Sequence, residues 1–144
     1  MLPLDRPAYI ILPPPISTNS LFRNVEKVGR VKTGKYKAWI TEAEQRLAAQ
    51  RPLPQFACPV SLTIFIGEKG VGDMDSDNAA KACIDALVRS KVIHDDSKKY
   101  VRGQRTIWVP KLRGCVVEVR PAPAPPAIEE ILSRIKSGLH ELLK

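Results

Sequence analysis

The chain has 144 residues, a formal net charge of +8 and three cysteines, which allows one domain with a single core and a short appendage. A pI near 9.6 points to an anionic partner, nucleic acid or anionic lipid, and says nothing of fold. Cys58, Cys83 and Cys115 stand far apart with no CxxC pair and no suitably spaced His, so they read as reduced core thiols. The early Asp5, the short N-terminal apolar run and the lack of any stretch of ~20 apolar residues predict a soluble, cytoplasmic protein.

Ala8 to Leu12 is a short apolar run closed by Pro13, Pro14 and Pro15, the pattern of a first strand ending in a rigid extended turn. A polar loop is expected next. Thr33 can cap a helix in which Tyr36, Trp39, Ile40, Ala43, Leu47 and Ala48 recur at three- and four-residue spacing, up to Arg51 and Pro52. Val60 to Ile66 alternates and is rich in β-branched residues, which predicts a strand followed by a loop over Gly67 to Gly72. A helix is expected from about Asp77 to Ser90. Tyr100 to Val109 and Cys115 to Val119 read as a terminal strand pair joined through Pro110 to Gly114. The predicted class is therefore α+β (α/β), a small mixed sheet packed with two main helices.

Pro121 to Pro126 has the composition of a semi-rigid linker. Beyond it Ile128, Ile131, Leu132, Ile135, Leu139 and Leu142 line one side of an amphipathic helix whose charges cancel, so the net charge sits in residues 1 to 126. The expected organisation is a domain over 1–120, a linker over 121–126 and a helix over 127–144. That last helix could rest on its own domain, on a second copy or on a separate partner.

Asp73 to Asp96 gathers six of the fifteen acidic residues inside this basic body. With Asp77 capping the helix start, Asn78, Lys81 and Asp85 share one polar face, while Ala80, Cys83, Ile84, Leu87 and Val88 form the stripe that buries the helix. Asp75 before the helix and Asp95 and Asp96 after a short return can converge on that face. Three or four carboxylate oxygens at one point suit Mg²⁺ or Mn²⁺, and such a site acts on phosphodiesters by polarising an oxygen and acidifying a water, with Lys81 offsetting charge on phosphorus. A capped, solvated helix start would share the local pattern. A calcium loop of the EF-hand type fails, because Asn78 takes its glycine position and Ile84 the place of its bidentate Glu.

Taken together, Asp75-Ser76-Asp77-Asn78-Ala79-Ala80-Lys81, then Asp85-Ala86-Leu87, then Val92-Ile93-His94-Asp95-Asp96-Ser97 resemble the RusA-like family of Holliday junction resolvases. The resemblance covers roughly residues 8 to 120 and includes the strand running into Pro13 to Pro15 and the nearby Asn19. It implies a Mg²⁺-dependent endodeoxyribonuclease of compact α/β fold. Such an enzyme works in recombination and repair as a homodimer that nicks two strands of a four-way junction symmetrically. It also implies that Asp75, Asp77 and Asp96 are the metal-binding catalytic carboxylates and Lys81 the essential cation, with Asn78, Asp85 and Asp95 orienting them. Two other readings are a nuclease for flaps, forks or other branched DNA, and a DNA-binding module without turnover.

Arg23, Lys27, Arg30, Lys32, Lys35 and Lys37, together with Asn19, have the composition of a surface that tracks phosphates, although a basic protein can also carry a solvated helix face. Arg102 and Arg105 have opposite strand parity, so at most one would face DNA. Trp39 and Trp108 sit in apolar patterns and read as core, and His94 as a bystander beside the acidic pair.

Overall fold

The structure, a computed structural model, describes residues 6–135 and leaves aside the Ser76 side chain. Strand β1 (Ala8–Leu12) leads through the prolines to a single 3-10 turn (Thr18–Ser20). The short strands β2 (Phe22–Val25) and β3 (Gly29–Lys32) follow, then α1 (Gly34–Ala49), β4 (Val60–Lys69), α2 (Ser76–Arg89), β5 (Val101–Arg113), β6 (Cys115–Pro121) and α3 (Ile128–Ser133). The predicted class holds: a four-stranded mixed sheet, a separate two-stranded ribbon, and helices.

The main sheet has the order β1-β6-β4-β5, with β4 parallel to β5 and antiparallel to β6, and β6 antiparallel to β1. This corrects the expected terminal strand pair. Although Gly114 alone separates β5 from β6, the two lie on opposite edges of β4. The physical reason lies in β4, where Leu62, Thr63, Ile64 and Ile66 are all buried, as expected of a strand that needs a neighbour on both edges. Its parallel partner β5 is reached by the crossover that contains α2. Gly67 serves this crowding, since a Cβ there would run into the Leu112 carbonyl.

One sheet face supplies most of the core, through Ala8, Ile10 and Leu12 of β1, Cys115, Val117 and Val119 of β6, and Leu62, Ile64 and Ile66 of β4. α1 lies against β1, α2 against β5, and the two helices meet. Thr33 caps α1 as expected, its hydroxyl accepting the Tyr36 N–H at 3.1 Å. Tyr36, Trp39, Ala43 and Leu47 are buried on that helix, whereas Ala48, a further 100° round, is exposed. Trp39 is a core residue, and its indole N–H donates to the Pro14 carbonyl at 2.7 Å. The three cysteines are free, with Cys83 and Cys115 buried and their sulfurs 3.5 Å apart. This hydrogen bond, with burial added to it, pushes the Cys83 thiol well above its usual range.

Two further expectations are corrected. The polar loop after the prolines contains the β2–β3 hairpin, which turns through Lys27 and Gly29 in the left-handed region (φ 64° and 97°). β4 also runs three residues past Ile66, where a loop was expected. Of the C-terminal helix, Leu139 and Leu142 lie outside the described residues; α3 leaves Ile128 and Ile131 exposed.

Candidate active site and nucleic-acid interface

α2 is the element that positions the acidic segment. It buries Ala79, Ala80, Ala82, Cys83, Ile84, Ala86 and Leu87, and the run of alanines lets its backbone sit close to the sheet. The opposite side presents Asp77, exposed, and Asn78, Lys81 and Asp85, half-buried. The N-cap is Asp75, not Asp77 as the sequence suggested, and Asp75 makes no side-chain capping bond. The shift of two residues leaves neither carboxylate engaged in capping. Asp77 falls in the first turn, where the helix dipole favours an anion.

Lys81 is the hub of the site. Its ammonium donates to Asp85 Oδ1 at 3.0 Å and lies 3.5 Å from Asp96 Oδ2, so the turn after α2 folds back along the helix as the sequence reading required. The hydrogen bond to Asp85 holds the Lys81 pKa above the usual lysine value, and the Asp96 charge adds to it, against partial burial. Lys81 is therefore held in its cationic form by its two carboxylate partners. The second Asp85 oxygen accepts the Tyr36 hydroxyl at 3.5 Å, and that hydroxyl accepts from Arg89 Nη1 at 3.3 Å. Sequence reasoning placed Tyr36 in the core and passed over Arg89. The only available signal was that a buried tyrosine seeks a partner for its hydroxyl.

Asp95 turns onto the backbone N–H of Asp96 at 2.8 Å, which lowers its own pKa and shapes that turn. Asn78 ties the helix to the 3-10 turn, its carbonyl accepting the Thr18 hydroxyl at 3.0 Å. That contact sets exposed Asn19 next to the head of α2.

The structure thus brings Lys81, Asp85 and Asp96 together. It does not draw Asp75, Asp77 and Asp96 into one cluster: among the described residues no three His, Cys, Asp or Glu side chains gather closely enough to hold a metal ion. Like-charged carboxylates repel, and among the described residues Lys81 draws in Asp85 and Asp96 alone. The donor chemistry nonetheless suits a hard divalent cation, because Asp75 and Asp77 are exposed carboxylates at one helix head and Asp75 spends no oxygen on capping.

The basic residues are more dispersed than the sequence implied. Arg23 projects from one face of the β2–β3 ribbon and Arg30 and Lys32 from the other, Lys27 sits in its turn and Lys35 in the first turn of α1, all exposed. The Arg30 guanidinium lies 4.0 Å from the Phe22 ring centroid, which stiffens it. The ribbon is anchored by buried Leu21, whose carbonyl accepts the Thr33 N–H at 3.0 Å, and by the Phe22–Tyr36 edge contact. A second basic group was missed. Lys69 pairs with Arg113 across β4 and β5, and the Arg113 guanidinium lies against Gly70, in the loop that feeds Asp75. Arg105 instead hydrogen-bonds Thr63 at 3.2 Å on the other side of the sheet from the core.

Over residues 12–106, more than half of the chain, the sequence matches the family described as Endodeoxyribonuclease RusA. The chain belongs to that family, and membership indicates an endodeoxyribonuclease. The Asp75–Asp96 segment lies inside the matched span and α3 outside it. Among curated proteins no match to this chain is found. No helix among the described residues is long and apolar enough to cross a membrane.

Proposed function

We propose that this endodeoxyribonuclease is structure-selective and Mg²⁺-dependent, and that it resolves four-way DNA junctions in recombination and repair by paired symmetric nicks, as a homodimer that sets one site on each of two strands. The observation that carries the reading is the 3.5 Å contact of Lys81 with Asp96, which joins the acidic pair after α2 to the carboxylate-bearing face of that helix. Asp75, Asp77 and Asp96 would hold Mg²⁺ or Mn²⁺. The ion supplies charge neutralisation at the phosphodiester and an acidified water.

The protein's own residues do the placing. Lys81, kept cationic by Asp85, meets the non-bridging oxygens whose charge grows as water adds to phosphorus and the P–O bond to the leaving strand breaks. Asp85 and Asp95 hold the lysine and the Asp96 turn in register. Arg23, Lys27, Arg30, Lys32 and Lys35, with Asn19 at the helix head, take the flanking phosphates.

The test is cleavage of a synthetic mobile four-way junction against linear duplex, flap and fork, with Mg²⁺ and with EDTA, for the wild type and Asp77→Asn. Paired nicks confined to the junction, dependent on metal and lost in the variant while binding survives, support the proposal. Preference for flaps or forks moves the substrate to other branched DNA, and binding without cleavage in any divalent metal overturns the nuclease reading.

A further inference from the structure

A cleft of about 1160 Å³ opens between the segment Pro52 to Ala57, the end of α2 and the turn that follows it. Its apolar lining includes Leu53, Phe56, Val88 and Ile93, and the Phe56 N–H donates to the Val92 carbonyl at 2.9 Å, which fixes one wall against the other. His94 and Tyr100 form an aromatic side of the cleft, their ring centroids 4.5 Å apart. Cations edge it: Lys91 is part of the lining, and the Lys99 ammonium lies 5.4 Å from the Tyr100 ring centroid.

Position and chemistry together select the occupant. His94 of the cleft lining directly precedes Asp95 and Asp96, and Asp96 meets Lys81, so the turn that walls the cleft also carries the acidic pair to the carboxylate face of α2. A base inside a duplex stays stacked, whereas a branch point offers nucleotides whose apolar faces are free and whose backbone is anionic. An apolar floor, an aromatic side and a cationic edge match that combination. The volume exceeds what a single small molecule usually fills, leaving room for more than one nucleotide.

We propose that this cleft binds unpaired nucleotides of the strand beside the branch point, with His94 and Tyr100 as the stacking surface. The proposal rests on the reading of the Asp75–Asp96 site as a branched-DNA nuclease. The experiment measures binding by fluorescence anisotropy in EDTA, using full-length wild type, His94→Ala and Tyr100→Ala. The DNAs are a four-way junction and a fork, intact or with a single abasic nucleotide at each of several positions around the branch point. Each variant should weaken binding of intact DNA about tenfold. One abasic position should weaken the wild type by a similar factor, yet cost the variants nothing more.

Abasic and protein effects that simply multiply at every position, on both DNAs, overturn the cleft proposal. Coupling on the fork with no binding to the junction overturns the junction reading and leaves the cleft standing. Variants that bind both intact DNAs as the wild type does also overturn the proposal.

Discussion

α2 and the β2–β3 ribbon both carry charges that the proposed function gives to DNA, yet the fold treats them differently. Seven residues of α2 are buried against the sheet, so the helix cannot shift without losing core contacts. No residue of β2 or β3 is fully buried, and among the described residues the ribbon pairs only with itself. Cleaving a phosphodiester requires groups placed to a fraction of an ångström, which calls for an element locked by packing. Attraction to a phosphate backbone falls off gently with distance, so a ribbon held at its base is enough. The difference separates chemistry from affinity, and each can be perturbed alone.

The largest expected effect is on chemistry. Asp77→Asn should lower junction cleavage by about 10²–10³-fold or more, in line with removing one essential charged group. Binding in EDTA should hold or tighten as a negative charge is lost, and stability should fall by no more than about 1 kcal/mol, because Asp77 is exposed and gives up only its interaction with the helix dipole. A parallel fall in binding would break the separation. Next comes the packing beneath the site. Leu87→Ala removes a fully buried side chain of α2 and should cost about 2–5 kcal/mol in urea unfolding.

The ribbon should behave in the opposite way. Arg23→Ala combined with Arg30→Ala should leave unfolding within about 0.5 kcal/mol of wild type, as exposed residues usually do. The slope of log affinity against log salt should become shallower by roughly two units if both side chains neutralise a phosphate. An unchanged slope would remove the ribbon from the DNA interface. A stability loss comparable to that of Leu87→Ala would mean that it belongs to the core after all.

What could be read from the sequence follows the same division. α1 and α2 were visible because their apolar residues keep a helical period against one sheet. The positions of Asp77, Asn78, Lys81 and Asp85 on one face came with that period. The ribbon was not visible: Arg23-Asn24 and Gly29-Arg30 are poor strand signals, and its stability comes from Leu21, Thr33 and Tyr36 around its base. The order of β5 and β6 was misread because nearness in sequence suggested a hairpin, whereas the burial of β4 on both sides, Thr63 included, called for two flanking strands. The Lys81–Asp96 contact could be anticipated only as a possibility until the turn after α2 was seen to fold back.

Tyr36 is where the two regions touch, and the smallest predicted effect tests whether they communicate. Its ring is buried and meets Phe22 of the ribbon edge-on, while its hydroxyl reaches Asp85, the partner of Lys81. Tyr36→Phe keeps the ring and removes only the hydroxyl, so stability should fall by no more than about 0.5–1.5 kcal/mol. If the hydroxyl helps to hold Asp85, and through it Lys81, kcat should drop severalfold with KM unchanged. The loss should also not add to that of Asp85→Asn, because both changes break the same chain. The 3.3 and 3.5 Å separations are long for hydrogen bonds to a phenol, which argues for an effect at the low end. An unaltered kcat would mean that Asp96 and the helix backbone alone position Lys81, and that the ribbon's contact with Tyr36 serves only to hold the ribbon.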